Sequence, residues 1–78
     1  MIKELTQDLI GKWLVYYGAS GFAAYYGEVT SVNKKDEIVN VIDGISKTKR
    51  SFGKYNISLF ETEDEAKKEY EDYQFVEG

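Results

Sequence analysis

With neither histidine nor cysteine among its 78 residues, the chain lacks the commonest general base, the commonest thiol nucleophile and the usual transition-metal ligands. Nucleophilic dyads built on those residues, and zinc sites of the usual kind, are excluded. Carboxylates remain. A working carboxylate pair needs a shaped, partly dry pocket, yet eight of the fourteen acids crowd into residues 61–78, where their spacing is that of a solvated helix face. Asp36 and Glu37 fall in a polar loop and Asp43 in a turn. Gly18-Ala19-Ser20-Gly21 joins two strand-like runs and does not open a helix, so it is no phosphate loop. The chain therefore reads as non-enzymatic, with no cofactor and no metal.

Two constellations have the composition of a binding surface. The first gathers Tyr16, Tyr17, Tyr25 and Tyr26 around Trp13. Tyr and Trp combine large apolar area with a polar tip and are favoured at interfaces. Core packing accounts for Trp13, Tyr17, Phe22 and Tyr26, while Tyr16 and Tyr25, on the opposite face of the same ribbon, are the residues expected to bind a protein partner. The second is Lys47, Lys49, Arg50 and Lys54, uninterrupted by an acid and interleaved with Phe52 and Tyr55. Cations neutralise phosphates and aromatics stack on bases, so this run is the alternative: a nucleic-acid face using Lys47, Lys49, Arg50, Phe52 and Lys54. Lysines that shield a sheet edge from pairing give the same pattern.

The elements that must position these groups follow from periodicity. Residues 12–17 and 22–32 are rich in aromatic and β-branched types and flank the Gly18–Gly21 turn, which predicts a hairpin. With Ala19 and Ser20 at its centre, Trp13, Val15, Tyr17, Phe22, Ala24 and Tyr26 share one face, and Leu14, Tyr16, Ala23 and Tyr25 the other. Both faces are apolar, so each must be covered or put to use. Gly27 suggests a bulge or sharp bend that curls the sheet. Further strands are predicted over 38–42, 45–52 and 55–60, the first two joined by a two-residue turn at Asp43-Gly44. A helix is predicted over 63–74, opened by Thr62 and Glu65 as a capping box, with Ala66, Tyr70 and Tyr73 toward the sheet. Leu5 and Leu9 make one helical turn, or the segment crosses the open end of a barrel and plugs it with Leu5, Leu9 and Ile10. The fold class is mainly β (α+β): a single domain over 1–78, a small five-stranded SH3-like half-open barrel with a C-terminal α-helix, with a plain α+β meander as the rival.

Gly11-Lys12-Trp13-Leu14-Val15-Tyr16-Tyr17-Gly18, followed by Gly21 through Val29 and by Val32, resembles the KOW-type motif of SH3-like barrels. The resemblance covers residues 11–32 and departs from the motif in lacking its usual proline and in carrying Ala24 where a second glycine is common. It implies the barrel. Because KOW-like domains commonly bind RNA or ribosome and polymerase partners, it also admits nucleic acid. Leu59 to Ala66 looks like the strand-to-helix junction of many small bacterial and phage proteins, which makes a bacterial or phage accessory role the expected setting.

The net charge of −4 conceals a division. Residues 1–60 hold eight Lys/Arg against six Asp/Glu, and residues 61–78 hold two against eight. A mildly basic body thus carries an acidic tail, and the Glu63 to Glu77 carboxylates could act as a decoy for a basic partner. The first dozen residues include Glu4 and Asp8 and no apolar run of signal-peptide length, and no stretch approaches a membrane span. A cytoplasmic monomer with an unidentified protein partner and no membrane attachment is the expectation.

Overall fold

The computed structural model describes residues 6–18 and 21–73. A 3-10 turn, Gln7–Leu9, precedes five strands: β1 (Trp13–Tyr17), β2 (Ala23–Asn33), β3 (Ile38–Asp43), β4 (Lys49–Gly53) and β5 (Ile57–Phe60). The helix α1 (Glu63–Asp72) follows. All neighbours are antiparallel in the order β4-β3-β2-β1-β5. The expected five strands and C-terminal helix are therefore present. In a flat sheet β4 and β1 would lie about 14 Å apart, three spacings of about 4.7 Å. Here the ring of Phe52 on β4 stacks on that of Tyr16 on β1 at 4.5 Å, so the sheet is curled into a half-open barrel.

Curling gives the two apolar faces different covers. The inner face packs against itself: Leu14, Val29, Val39, Val41 and Ile57 are buried, with Tyr16, Phe52 and Leu59 packed around them. Leu9 joins this cluster from the 3-10 turn while Ile10 stays 46% exposed, so of these two Leu9 serves as the plug; Leu5 lies outside the described residues. The outer face carries Val15, Ala23 and Tyr26, with Trp13, Tyr17 and Phe60, beneath Ala66 and Tyr70 of α1.

Four local expectations are corrected. A bulge opposite Tyr16 and Tyr17 sets Val15 against Tyr26 and Tyr17 against Ala23, which turns Ala23 toward the helix and leaves Phe22 and Ala24 exposed. The centre of that turn, Ala19 and Ser20, lies outside the described residues. Gly27 is itself in register, with bulges before and after it; its role is a close approach to β3. Asp43-Gly44 does not form a two-residue turn: Asp43 N–H donates to Thr48 O, Lys47 adopts φ 60°, and β4 starts only at Lys49. A two-residue turn would set Ser46 opposite Val41 and Thr48 opposite Val39, whereas the longer loop sets Arg50 and Phe52 there and brings an aromatic into the core. Finally β5 starts at Ile57, Tyr55 is 63% exposed and Asn56 takes φ 62°.

The helix opens as expected, Thr62 Oγ1 accepting from Glu65 N–H at 3.3 Å. Tyr73, expected against the sheet, is 51% exposed, though its ring meets Tyr17 edge-on and its carbonyl accepts from Ala23 N–H. Residue 74 lies outside the described residues. Docking is fixed by a polar contact: Tyr17 Oη donates to Glu69 Oε2 at 2.5 Å and lies 3.1 Å from Ser58 Oγ. Burial first, and Glu69 second, push the Tyr17 phenol up to about 12. A phenol with a raised folded pKa stabilises the fold fully below its unfolded value of about 10 and loses that contribution as pH rises toward 12. Because Tyr17 keeps some solvent contact, we expect a loss of about 1–2 kcal/mol over that interval. Tyr17→Phe should cost about 1 kcal/mol at pH 8, and urea titrations should show its gap from wild type closing between pH 10 and 12. Parallel stability curves would refute the assignment.

Candidate functional site

A cleft of about 210 Å³ opens where the β2 bulge, the β3–β4 turn and Tyr70 of α1 meet. Its formation starts at Asp43, which sits at the end of β3 opposite Gly27 and is 5% exposed. A carboxylate so placed must be satisfied internally. Oδ1 accepts from the backbone N–H groups of Ile45 at 2.8 Å and Ser46 at 3.0 Å, and Oδ2 accepts from Arg50 Nε at 2.8 Å. Burial by itself raises the carboxyl; these three donors together outweigh it and hold Asp43 below the usual carboxylate range. The turn is thus wound around an anion, and Ile45 is left at its tip, 64% exposed.

Arg50 faces inward from β4, opposite Val41, and its guanidinium lies 4.0 Å from the centroid of the Tyr25 ring. Tyr25 continues a ladder of rings: it lies 5.9 Å from Phe52 and 6.4 Å from Tyr16. Of the two residues expected to bind a protein, Tyr25 lines the cleft, whereas Tyr16 lies behind it beneath Phe52; both are half-buried. Neither is under Tyr70 or Tyr73, since the helix covers the other face.

The five residues of the basic constellation are dispersed. Arg50 is committed to Asp43 and Tyr25, Phe52 to Tyr16, and Lys54 to an ion pair with Glu37. Lys47 and Lys49 are exposed and make no ion pair among the described residues, but Lys47 belongs to the turn and Lys49, opposite Ile42, lies on the reverse side of β4 from Arg50. Lys49 does nonetheless occupy a sheet edge, since β4 ends the strand order.

Sequence reasoning missed Asp43, Ile45, Ser46 and Tyr70 as parts of one site. Composition makes the first a turn former and periodicity makes the last core, and the available signal is an acid in a turn with an arginine seven residues later. Among the described residues no group of three or more acids could hold a metal ion, and no helix is long and apolar enough to cross a membrane. Comparison of the chain with protein-family models, with curated proteins and with solved structures returned no match.

Proposed function

We propose that the chain is a small non-enzymatic interaction module that binds a protein partner at the cleft beside Tyr25 and Arg50. The observation that carries this reading is the Arg50–Tyr25 stack: a cation held 4.0 Å from an aromatic centroid, beside an Ile45 left 64% exposed. Arg and Tyr are the residue types that dominate binding energy at protein interfaces, and a concave apolar site with a few convergent polar groups is where ligands lodge. Tyr16 and Phe52 then act behind the surface, keeping Tyr25 in place. The nucleic-acid alternative asks for cations aligned along one groove, and Lys47, Lys49, Arg50 and Lys54 are distributed over two sides with two of them neutralised. A cysteine-free chain suits a reducing, cytoplasmic setting, which belongs to the same proposal.

Affinity capture from cytoplasmic extract, with and without nuclease, tests this. We expect a protein captured equally in both conditions and reduced about fivefold or more by Ile45→Ser, a change at an exposed position that leaves the core untouched. Capture that disappears with nuclease would transfer the function to nucleic acid. Capture indifferent to both Ile45→Ser and Tyr25→Ser would remove the cleft from it.

A further inference from the structure

Resting on that protein-binding reading, we propose that the cleft receives an acidic side chain of the partner, its carboxylate taken by the two terminal nitrogens of Arg50. A guanidinium has five N–H donors in a fixed fork. Nε is occupied by Asp43 Oδ2, and among the described residues no residue other than Asp43 accepts from this group. The donors on Nη1 and Nη2 are therefore open to a ligand, and the side chain is 34% exposed where it lines the cleft. Its plane is set in advance by Asp43 on one side and the Tyr25 ring on the other, so little side-chain freedom is lost when an acceptor arrives.

Charge and size select the ligand. Among the described residues Asp43 is the only carboxylate lining the cleft, and both of its oxygens already accept hydrogen bonds. From the helix, Lys67 and Glu63 act on the Tyr26 wall with opposite sign. With its charge balanced by Asp43, Arg50 offers only the two terminal nitrogens of its fork, which match the two oxygens of a single carboxylate; a phosphate dianion calls for further cations, and Lys47 and Lys49 do not line the cleft. Apart from Ser46, the remaining walls, Ala24, Tyr25, Tyr26, Ile45 and Tyr70, are apolar or aromatic and suit an aliphatic neighbour of the acid. About 210 Å³ holds roughly seven waters at about 30 Å³ each, the space of one side chain and part of the next.

The test is an NMR titration of the full chain with blocked pentapeptides, Gly-Leu-Glu-Leu-Gly and its glutamine counterpart. Parallel arms use an unblocked Gly-Leu-Leu, inorganic phosphate and a single-stranded oligonucleotide. We expect the glutamate peptide to shift the Arg50 Nε–H and the Ile45 and Ser46 amides with a Kd on the order of 1 mM, and the glutamine peptide to bind about tenfold more weakly. Arg50→Lys keeps the charge, removes the fork and should weaken the glutamate peptide about tenfold. Should that variant not fold, Ile45→Glu at the exposed rim supplies the same comparison, since a resident carboxylate should repel the glutamate peptide and spare the glutamine one. Equal binding of the two peptides, or no shift at Arg50 at about 10 mM peptide, overturns the proposal. So does a stronger response to phosphate, to the oligonucleotide or to the free chain terminus. If the acidic peptide fails while Ile45→Ser still abolishes nuclease-resistant capture, the module binds protein without a carboxylate; if capture fails too, both readings fall.

Discussion

Asp43→Ala should remove about 3–5 kcal/mol of stability, because it takes the acceptor from two backbone donors of the turn and the counter-ion from the half-buried Arg50. The native carboxylate, 5% exposed, satisfies two backbone donors of the β3–β4 turn and one side-chain donor of β4. Alanine leaves Ile45 and Ser46 N–H without an acceptor and Arg50 against the Tyr25 ring with no counter-ion. A domain of this size has a total stability of only about 4–12 kcal/mol, so the variant should lose much of its native population. In urea unfolding the midpoint should fall steeply, and the residual folded fraction should show Arg50 and Ile45 resonances moved far from their native positions. Asp43→Asn separates the parts: its carboxamide oxygen still accepts from the turn, but its NH2 then faces Arg50 Nε–H, donor against donor, so the ion pair and its hydrogen bond are both lost, for about 2 kcal/mol. Because the folded carboxyl lies below its usual range, its stabilisation is present above about pH 4, the unfolded value, and is lost as pH falls through the folded one. Wild type should therefore lose its advantage over Asp43→Asn in acid. Removing Arg50 as Met in the Asp43→Ala background should recover part of the loss, since deleting both members of a pair costs less than leaving one half-buried charge unpaired. Additive costs would show that the two residues are not coupled.

The site's two central residues were visible in the sequence, but under separate hypotheses. Tyr25 stood out as an aromatic on the uncovered side of a hairpin and Arg50 as one of four cations in a basic run, and nothing local links them. They lie on β2 and β4, which are not neighbours, and meet only because the sheet curls far enough to place Phe52 on Tyr16. Features fixed by short-range physics were legible: the β1 and β2 runs, the Thr62–Glu65 helix start, and the burial of Ala66 and Tyr26. Misreadings arose where a local preference competed with a distant partner. Asp43-Gly44 has the composition of a tight turn, yet the register that buries Phe52 opposite Val39 requires two more residues on each side of the loop centre. Strict alternation puts Ala23 and Ala24 on the wrong faces for a similar reason, because a bulge inverts every side chain beyond it and leaves no mark in alternation. Pairing of Lys54 with Glu37 likewise joins loops that composition treats as independent.

The same tight curl makes Gly27→Ala the second severe substitution, with an expected loss of about 3 kcal/mol or more. A Cβ on Gly27 would stand 2.3 Å from Ile42 O, 2.9 Å from Ile42 C and 3.2 Å from Asp43 Cα. All three are backbone atoms of β3, so no rotamer change relieves the overlap and the strand itself must retreat. That retreat breaks the β2–β3 ladder at Gly27 and Asp43 and displaces the carboxylate around which the turn is wound, so the cleft should be lost along with stability. Gly53→Ala is the control within the same sheet: a Cβ there meets nothing within 4 Å, and alanine should be neutral or stabilising by a few tenths of a kcal/mol. Amide exchange adds a local readout. In Gly27→Ala, protection should fall first where β2 and β3 pair around Gly27, read at Gly44 N–H, which donates to Tyr26 O, while Trp13–Tyr16, paired on their other side with β5, should remain the slower set. Equal urea midpoints for the two glycine variants would mean that β3 yields without cost, and the close approach would then not be what holds the curl.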